Sequence, residues 1–173
     1  NRNAGYNHFL QDSSRGNTKV INSDSNATES TYTNMVESFD TNGFTVGFDG
    51  GQVPNFNGNT FVGWQWKANG GTTSTDTTSS ITSTVQVNSD AGFSIVTYTG
   101  DGTTTGGFGH GLGVAPKVVF VKRRNTAADW AVYHKDIGAA NFLKLSTTEA
   151  QQSGVWQGID SSSTRGTVYQ CGF

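Results

Sequence analysis

The chain has 173 residues and a formal net charge of −2, and 79 of its residues are Thr, Ser, Asn or Gly. Only 33% of the residues are hydrophobic and 14% are charged, which excludes a helical bundle built from Ala, Leu, Glu and Lys. The 4 Trp, 11 Phe and 5 Tyr exclude a disordered chain, and the charge excludes a broad basic surface for nucleic acid.

The regular segments have the two-residue period of β-strands. Large apolar residues alternate with small or polar ones in several of them, and Asn-Gly and Asp-Gly pairs supply tight turns between them. The predicted strands, in chain order, are 6–10, 43–48, 60–67, 81–87, 93–98, 117–122, 129–134, 142–145 and 166–170.

Short strands with glycine-rich turns predict an all-β chain, arranged as an antiparallel β-sandwich of jelly-roll or concanavalin-like type. A variant of this fold has two small β units joined by a linker. The predicted division is a first β unit over 1–68, a Gly/Thr/Ser linker or long loop over 69–80, and a second β unit over 81–173.

Two further segments carry specific expectations. The continuous apolar run within 117–122 predicts a strand that is covered on both faces. The segment 146–153 predicts one short turn of helix, with Ser146 or Thr147 as its N-cap.

Three tryptophans are candidates for stacking against sugar rings. Trp64 and Trp66 are two residues apart in a predicted strand and therefore share one face. An outward face would make a platform for a glycan, whereas an inward face would make both indoles part of the core, and the core is favoured about three to one. Trp130 is the third candidate, although an isolated tryptophan is more often a core residue.

The sequence does not indicate a reactive centre. The histidines His8, His110 and His134 have no metal-ligand spacing, and Cys171 has no partner cysteine. A calcium ion held by Asp40 and Asp49 is a minor alternative to a hairpin turn. We therefore predict no catalytic residues, no metal site and no cofactor, and the chain is not expected to be an enzyme.

A faint internal repeat relates residues 2–10 to residues 124–132, and only the second copy is preceded by a predicted strand. This asymmetry suggests that the first unit is a partial repeat and that the chain begins part-way through a repeating unit of a larger polypeptide.

Several strings resemble a repeat domain, itself uncharacterised, found in large virion proteins of tailed phages, notably marine ones. They are GFSIVTYTG at 92–100, GHGLGVAPK at 109–117 and WAVYH at 130–134, together with SFDTNGFTVG at 38–47 and NTFVGWQWKA at 59–68. The resemblance weakens after Gly154.

The resemblance implies a structural component of a phage particle. A tail-fibre or tail-surface protein acting in assembly and host-surface attachment is expected, as a homo-oligomer with a trimer favoured. The expected partners are other virion proteins and a host surface glycan, and neither nucleic acid nor a membrane span is expected. The expected location is the surface of the extracellular particle. A capsid decoration protein, a lectin-like carbohydrate-binding module and, more remotely, a glycan-degrading enzyme are the alternatives.

Overall fold

The computed structural model describes residues 5–48, 54–103 and 106–154, together with the backbone of 165–167. Fourteen strands lie in these residues. They are β1 Phe9–Asp12, β2 Gly16–Asn22, β3 Ser30–Thr31, β4 Val36–Asp40, β5 Gly43–Val46, β6 Ser74–Asp76, β7 Ser83–Asn88, β8 Phe93–Tyr98, β9 Gly107–Gly109, β10 Val118–Val121, β11 Ala131–His134, β12 Asn141–Lys144, β13 Gln152–Ser153 and β14 Arg165–Thr167.

The strands form five small sheets, and every strand pair in them is antiparallel. The sheet orders are β1-β2-β3, β4-β5, β6-β7-β8, β14-β9 and β10-β11-β12-β13. No helix occurs in the part of the chain that the structure describes. The all-β prediction is therefore confirmed, whereas the sandwich arrangement stays a prediction.

Side chains close the hairpin turns. In the turn between β1 and β2, Asp12 accepts hydrogen bonds from the backbone N–H groups of Ser14 and Arg15, at 3.0 and 2.9 Å. Gly16 then takes a φ of +93°, which side-chain-bearing residues rarely adopt. Local side-chain chemistry thus fixes where these strands end.

The best-defined core cluster belongs to the sheet of β10 to β13. Ala131, Tyr133 and Phe142 are buried on one face of this sheet, and Val119 and Val121 pack against them. Smaller buried groups lie in the other sheets, such as Val20 and Ile21 in β2, Met35 and Val36 at β4, and Ile81 and Val85 around β7.

Residues on the two sides of segment 69–80 are in direct contact. Gln86 of β7 bonds to Ser13 and Ser14, and Glu29 forms an ion pair with Arg124. The segment 69–80, predicted as a linker or long loop, also contains strand β6, which pairs with β7. The division of the chain into two units stays a prediction.

The observed strands correct several expectations. The segment 60–67 forms no strand, and 146–153 forms no helical turn but ends in β13. The strands β2, β3, β4, β6, β9 and β13 were not predicted. Residues 168–170 of the last predicted strand lie outside the described residues.

Within the described ranges, no helix has the length and apolar character that crossing a bilayer would require.

Candidate functional site: exposed aromatic and apolar surfaces

The segment 60–67 carries the most exposed aromatic side chains that the structure describes. Trp64 is 78% exposed and Trp66 is 61% exposed, and Val62 is exposed as well. The core interpretation of these two indoles is therefore wrong. Among the described residues this segment belongs to no sheet, and its alternation in sequence does not lead to burial.

Contacts in its middle and at its C-terminal end fix this segment on the protein. A Cβ on Gly63 would lie 3.2 Å from Cζ of Phe44, so the backbone runs directly over that ring. Trp66 stacks on Phe93, with ring centroids 6.3 Å apart and planes at 21°. The Asn88 side chain donates a hydrogen bond of 3.1 Å to the Lys67 carbonyl. The indoles therefore belong to an anchored surface.

Trp130, the third stacking candidate, lies elsewhere and is buried. It is 6% exposed, and its Nε1 donates a hydrogen bond of 2.8 Å to the carbonyl of Asn22. An indole enclosed in this way cannot stack against a sugar, so the structure removes Trp130 from the candidates. Trp156 is outside the described residues.

A second apolar surface lies on the sheet of β10 to β13. Phe120 faces Val132, and Val132 faces Leu143, so these three residues form one row across three strands. Phe120 is 55% exposed, and Val118 and Leu143 are exposed beside the buried Val132. The expectation that strand 117–122 is covered on both faces is therefore wrong, because its Val119 and Val121 face the core and its other face is open. We call this row, with Val118, the open sheet face.

A cleft of about 720 Å³ lies between the end of β8 and the segment after β10. Its walls are the consecutive residues 96–100 on one side and 121–125 on the other. Glu29, Asp101 and Asp129 supply its carboxylates, and Lys122, Arg123 and Arg124 supply its cations.

Ion pairs engage two of the three carboxylates of this cleft. Glu29 accepts two hydrogen bonds from Arg124, at 2.8 and 2.9 Å, and one from Arg15 at 3.0 Å. Partial burial raises the pKa of Glu29, but the hydrogen bonds and charges of the two arginines outweigh it and leave the pKa lowered. Asp129 forms an ion pair with Lys144 at 3.0 Å.

Asp101 is also held in its ionised form. Hydrogen bonds from the backbone N–H and the hydroxyl of Thr103 lower the pKa of the Asp101 carboxyl. A general acid for glycoside hydrolysis needs a raised pKa, which neither Asp101 nor Glu29 has.

His110 is the one histidine that the structure buries among the described residues, at 5% exposure. Its Nδ1 accepts a hydrogen bond of 3.1 Å from the Leu112 N–H, and its Nε2 has no partner among the described residues. Burial lowers the pKa of His110, and the charge of Asp76 opposes part of that shift.

The described residues contain no group of three or more His, Cys, Asp or Glu side chains that could hold a metal ion. Asp40, the calcium candidate, instead accepts hydrogen bonds from the hydroxyls of Ser38 and Thr45, at 2.8 and 2.9 Å. Asp49 and Cys171 lie outside the described residues.

Sequence reasoning missed the open sheet face. All four residues of the strand, 118–121, are apolar, so no alternation of polar and apolar side chains marked one face as exposed.

The fold and these surfaces define an all-β chain with exposed aromatic and apolar patches. A family model described as a domain of unknown function, DUF7483, matches residues 1–172. The chain therefore belongs to the DUF7483 family. No curated protein and no solved structure gives a significant match.

Proposed function

We propose that the chain is a non-enzymatic structural module of a phage particle, at the tail surface or on another exposed part of the virion. It acts by assembling with copies of itself and with other virion proteins, and by contributing to attachment at the host surface. The resemblance of its GFSIVTYTG and GHGLGVAPK strings to phage virion proteins supports this proposal.

The open sheet face is the observation that carries the assembly role. Phe120, Val132 and Leu143 lie in register across three strands, with Val118 beside them and the polar His134 opposite Val118. An apolar patch with a polar rim is typical of a protein interaction site. Removing a large apolar side chain from water contributes about 1.5–3 kcal/mol, so a few such residues can stabilise a contact.

The cleft chemistry supports a role without catalysis. Glu29 and Asp129 are engaged in ion pairs with arginine and lysine, and the pKa of Asp101 is lowered. Glu29 and Asp101, whose pKa values are lowered, are ionised at neutral pH, whereas an acid catalyst would need a proton there.

Replacing Phe120 and Leu143 by serine tests the assembly role. We expect the wild-type chain to have the mass of an oligomer at micromolar concentration in multi-angle light scattering. Phe120→Ser combined with Leu143→Ser should weaken that oligomer roughly tenfold or more, because the substitutions remove the apolar area that the contact buries.

Phe39→Ser is the matched control for this experiment. Phe39 is also an exposed phenylalanine on a strand, but it lies in the separate β4–β5 sheet. It should leave the oligomer unchanged. A wild-type mass of one chain, or equal effects of the two sets of substitutions, would count against the proposal.

Exposure of Trp64 and Trp66 favours a second candidate function, carbohydrate binding. Exposed indoles stack on the apolar faces of sugar rings, and a host surface glycan would be the ligand. This function is compatible with a place on a virion, because attachment requires recognition of the host surface.

A glycan array separates this second candidate from the first. We expect the wild-type chain to bind a subset of glycans, and Trp64→Ala and Trp66→Ala each to abolish or strongly reduce that binding through loss of the stacking surface. The control Phe56→Ala removes an exposed aromatic ring outside segment 60–67 and should retain binding. An array on which the chain binds no glycan would rule out the carbohydrate-binding function.

A further inference from the structure

The chain contains the same three-stranded meander twice. The first meander is β1-β2-β3 and the second is β11-β12-β13, and each residue of the second lies 122 positions after its counterpart in the first. Corresponding pairs of facing residues show this: Phe9↔Asn22 with Ala131↔Lys144, and Val20↔Ser30 with Phe142↔Gln152. The faint repeat in the sequence is therefore also a repeat of strand pairing.

The loops of the two meanders match as well. In the loop after β2, the Ser25 hydroxyl accepts a hydrogen bond of 3.1 Å from the Ala27 N–H. In the loop after β12, the Thr147 hydroxyl accepts one of 3.3 Å from the Glu149 N–H, at the same positions of the repeat. Both hairpin turns also have a glycine with positive φ at the same position, Gly16 and Gly138. A contact made by one meander is therefore a guide to what the other can bind.

A segment of the chain is docked on the first meander. This docked segment, 124–130, leads into the second meander and lies against the loop after β2. The Ala128 N–H donates a hydrogen bond of 3.0 Å to the Asn26 carbonyl, and the Trp130 indole donates one of 2.8 Å to the Asn22 carbonyl. Ala128 and Trp130 are both buried. The first meander is thus a docking site that is occupied within the chain.

The corresponding site on the second meander is exposed. Its loop is 145–151, in which residues 148–151 are all exposed. Leu143 is 37% exposed, whereas its counterpart Ile21 in the first meander is 5% exposed. Leu145 is exposed beside Leu143. The second meander therefore presents two leucines and a loop where the first meander is covered.

The counterpart of the docked segment is exposed too. That counterpart is 2–8, of which the structure describes 5–8, and these four residues are all exposed. Tyr6 stands in the place of Ala128 and His8 in the place of Trp130. Tyr6 is larger than Ala128 and His8 is smaller than Trp130, and a neutral imidazole still has an N–H donor, as the indole does. Segment 5–8 therefore retains the features by which the docked segment binds.

We propose that segment 5–8 of one copy of this chain docks on the second meander of another copy, along the loop 145–151. The contact repeats between two chains the one that segment 124–130 makes within a chain. Both halves of it are exposed on each chain, so a second copy supplies the missing half.

The counterpart positions give the expected contacts. The Tyr6 N–H donates to the Thr148 carbonyl, and the His8 ring donates to the Lys144 carbonyl. Leu145 is covered by the docked chain. Each covered apolar side chain contributes about 1.5–3 kcal/mol to such a contact.

This inference rests on the proposed self-assembly and names the surfaces that would meet. The contact is head-to-tail, because each copy uses one surface to bind and a different one to be bound, so copies add until a ring closes or a filament grows. The ion pair of Glu29 with Arg124 is not reproduced, since Gln151 stands in the place of Glu29. We therefore expect a weaker contact than the one within the chain.

One substitution in each half tests the contact, and both are made in Phe120→Ser chains to weaken any contact at the open sheet face. Tyr6→Asp and Leu145→Asp should each raise the dissociation constant roughly tenfold or more, because each places a carboxylate in the contact. Ser23 is the counterpart of Leu145, so the meander accepts a polar residue there. Phe39→Asp, at an exposed phenylalanine of the separate β4–β5 sheet, is the matched control and should leave the dissociation constant unchanged.

Mixing the two variants tests whether the contact is head-to-tail. The Tyr6→Asp chain keeps an intact docking surface, and the Leu145→Asp chain keeps an intact segment 5–8. At a concentration where each variant alone has the mass of one chain in multi-angle light scattering, an equal mixture should have the mass of two chains and grow no further. If the mixture keeps the mass of one chain while circular dichroism shows both variants folded, the inference is overturned.

The same substitutions in the otherwise wild-type chain separate this inference from the proposed function. If Tyr6→Asp and Leu145→Asp leave the oligomer unchanged while Phe120→Ser with Leu143→Ser disrupts it, the head-to-tail contact is overturned and the proposed function stands. A wild-type mass of one chain overturns both. Weakening by both single substitutions, with recovery in the mixture, supports the head-to-tail contact.

Discussion

The behaviour of His110 depends on which of its ring nitrogens carries a proton. Nδ1 accepts the Leu112 N–H, so the neutral ring carries its proton on Nε2. A second proton would go to Nδ1, break that hydrogen bond and bring a charge into a buried position. Asp76, close to the ring beside Gly109, is the charged group that favours this proton.

The lowered pKa of His110 predicts a loss of stability in mild acid. The folded state binds the proton less readily than the unfolded state, whose histidine has a pKa of about 6.5. The free energy of unfolding should therefore fall as the pH drops below about 6.5, and this contribution stops falling below the folded-state pKa. Urea unfolding at several pH values measures it.

His110→Gln should remove this part of the pH dependence, because glutamine stays neutral and can still accept the Leu112 N–H. His8→Gln, at an exposed position, is the control and should retain it. An unchanged pH profile in His110→Gln would contradict the interpretation.

At the scale of the elements, Gln86 connects β7 to two other parts of the chain. Its Oε1 accepts hydrogen bonds from the Ser13 hydroxyl and from the backbone N–H groups of Asn69 and Gly71, at 3.0 to 3.1 Å. Its Nε2 donates to Ser14 at 2.7 Å. One buried amide therefore fixes the β1–β2 turn and the 69–71 loop against the β6-β7-β8 sheet.

Removing this amide should be costly. Gln86→Leu leaves two backbone N–H groups without their acceptor and should lower the free energy of unfolding by about 2–4 kcal/mol. Ser14→Ala removes one of the four hydrogen bonds and should cost about 1 kcal/mol. Chemical denaturation measures both. The exposed Gln65→Leu should stay within about 0.5 kcal/mol of wild type, and an equal loss there would contradict this role of Gln86.

At the scale of the whole molecule, sequence patterns predicted strands where local signals and sheet pairing agree. The predicted 93–98 matches β8 because β-branched and aromatic residues lie between a turn at Gly92 and a bend at Gly102. The segment 60–67 has similar alternation and no strand. Alternation orders the side chains of a segment, whereas strand formation needs a hydrogen-bonding neighbour that the local sequence does not specify.

The burial of the candidate tryptophans likewise depends on residues that are distant in the sequence. Trp130 is buried, and its indole N–H donates a hydrogen bond to a carbonyl 108 residues earlier in the chain. No local sequence pattern predicts that contact. Trp64 and Trp66 are exposed although Trp66 stacks on Phe93 of β8, and their local pattern is the same alternation that a buried strand would show. Composition was enough to predict the all-β fold class, but the exposure of each tryptophan depended on the tertiary arrangement.

The ion pair between Glu29 and Arg124 has a consequence for synthesis on the ribosome. Its members are 95 residues apart, so the acidic side chain emerges long before its cationic neighbour. Because synthesis adds about 5–20 residues per second, the early hairpins are made roughly 5–20 seconds before Arg124. During translation these nascent segments are incomplete, and a chaperone or neighbouring nascent chain can reach them in that interval.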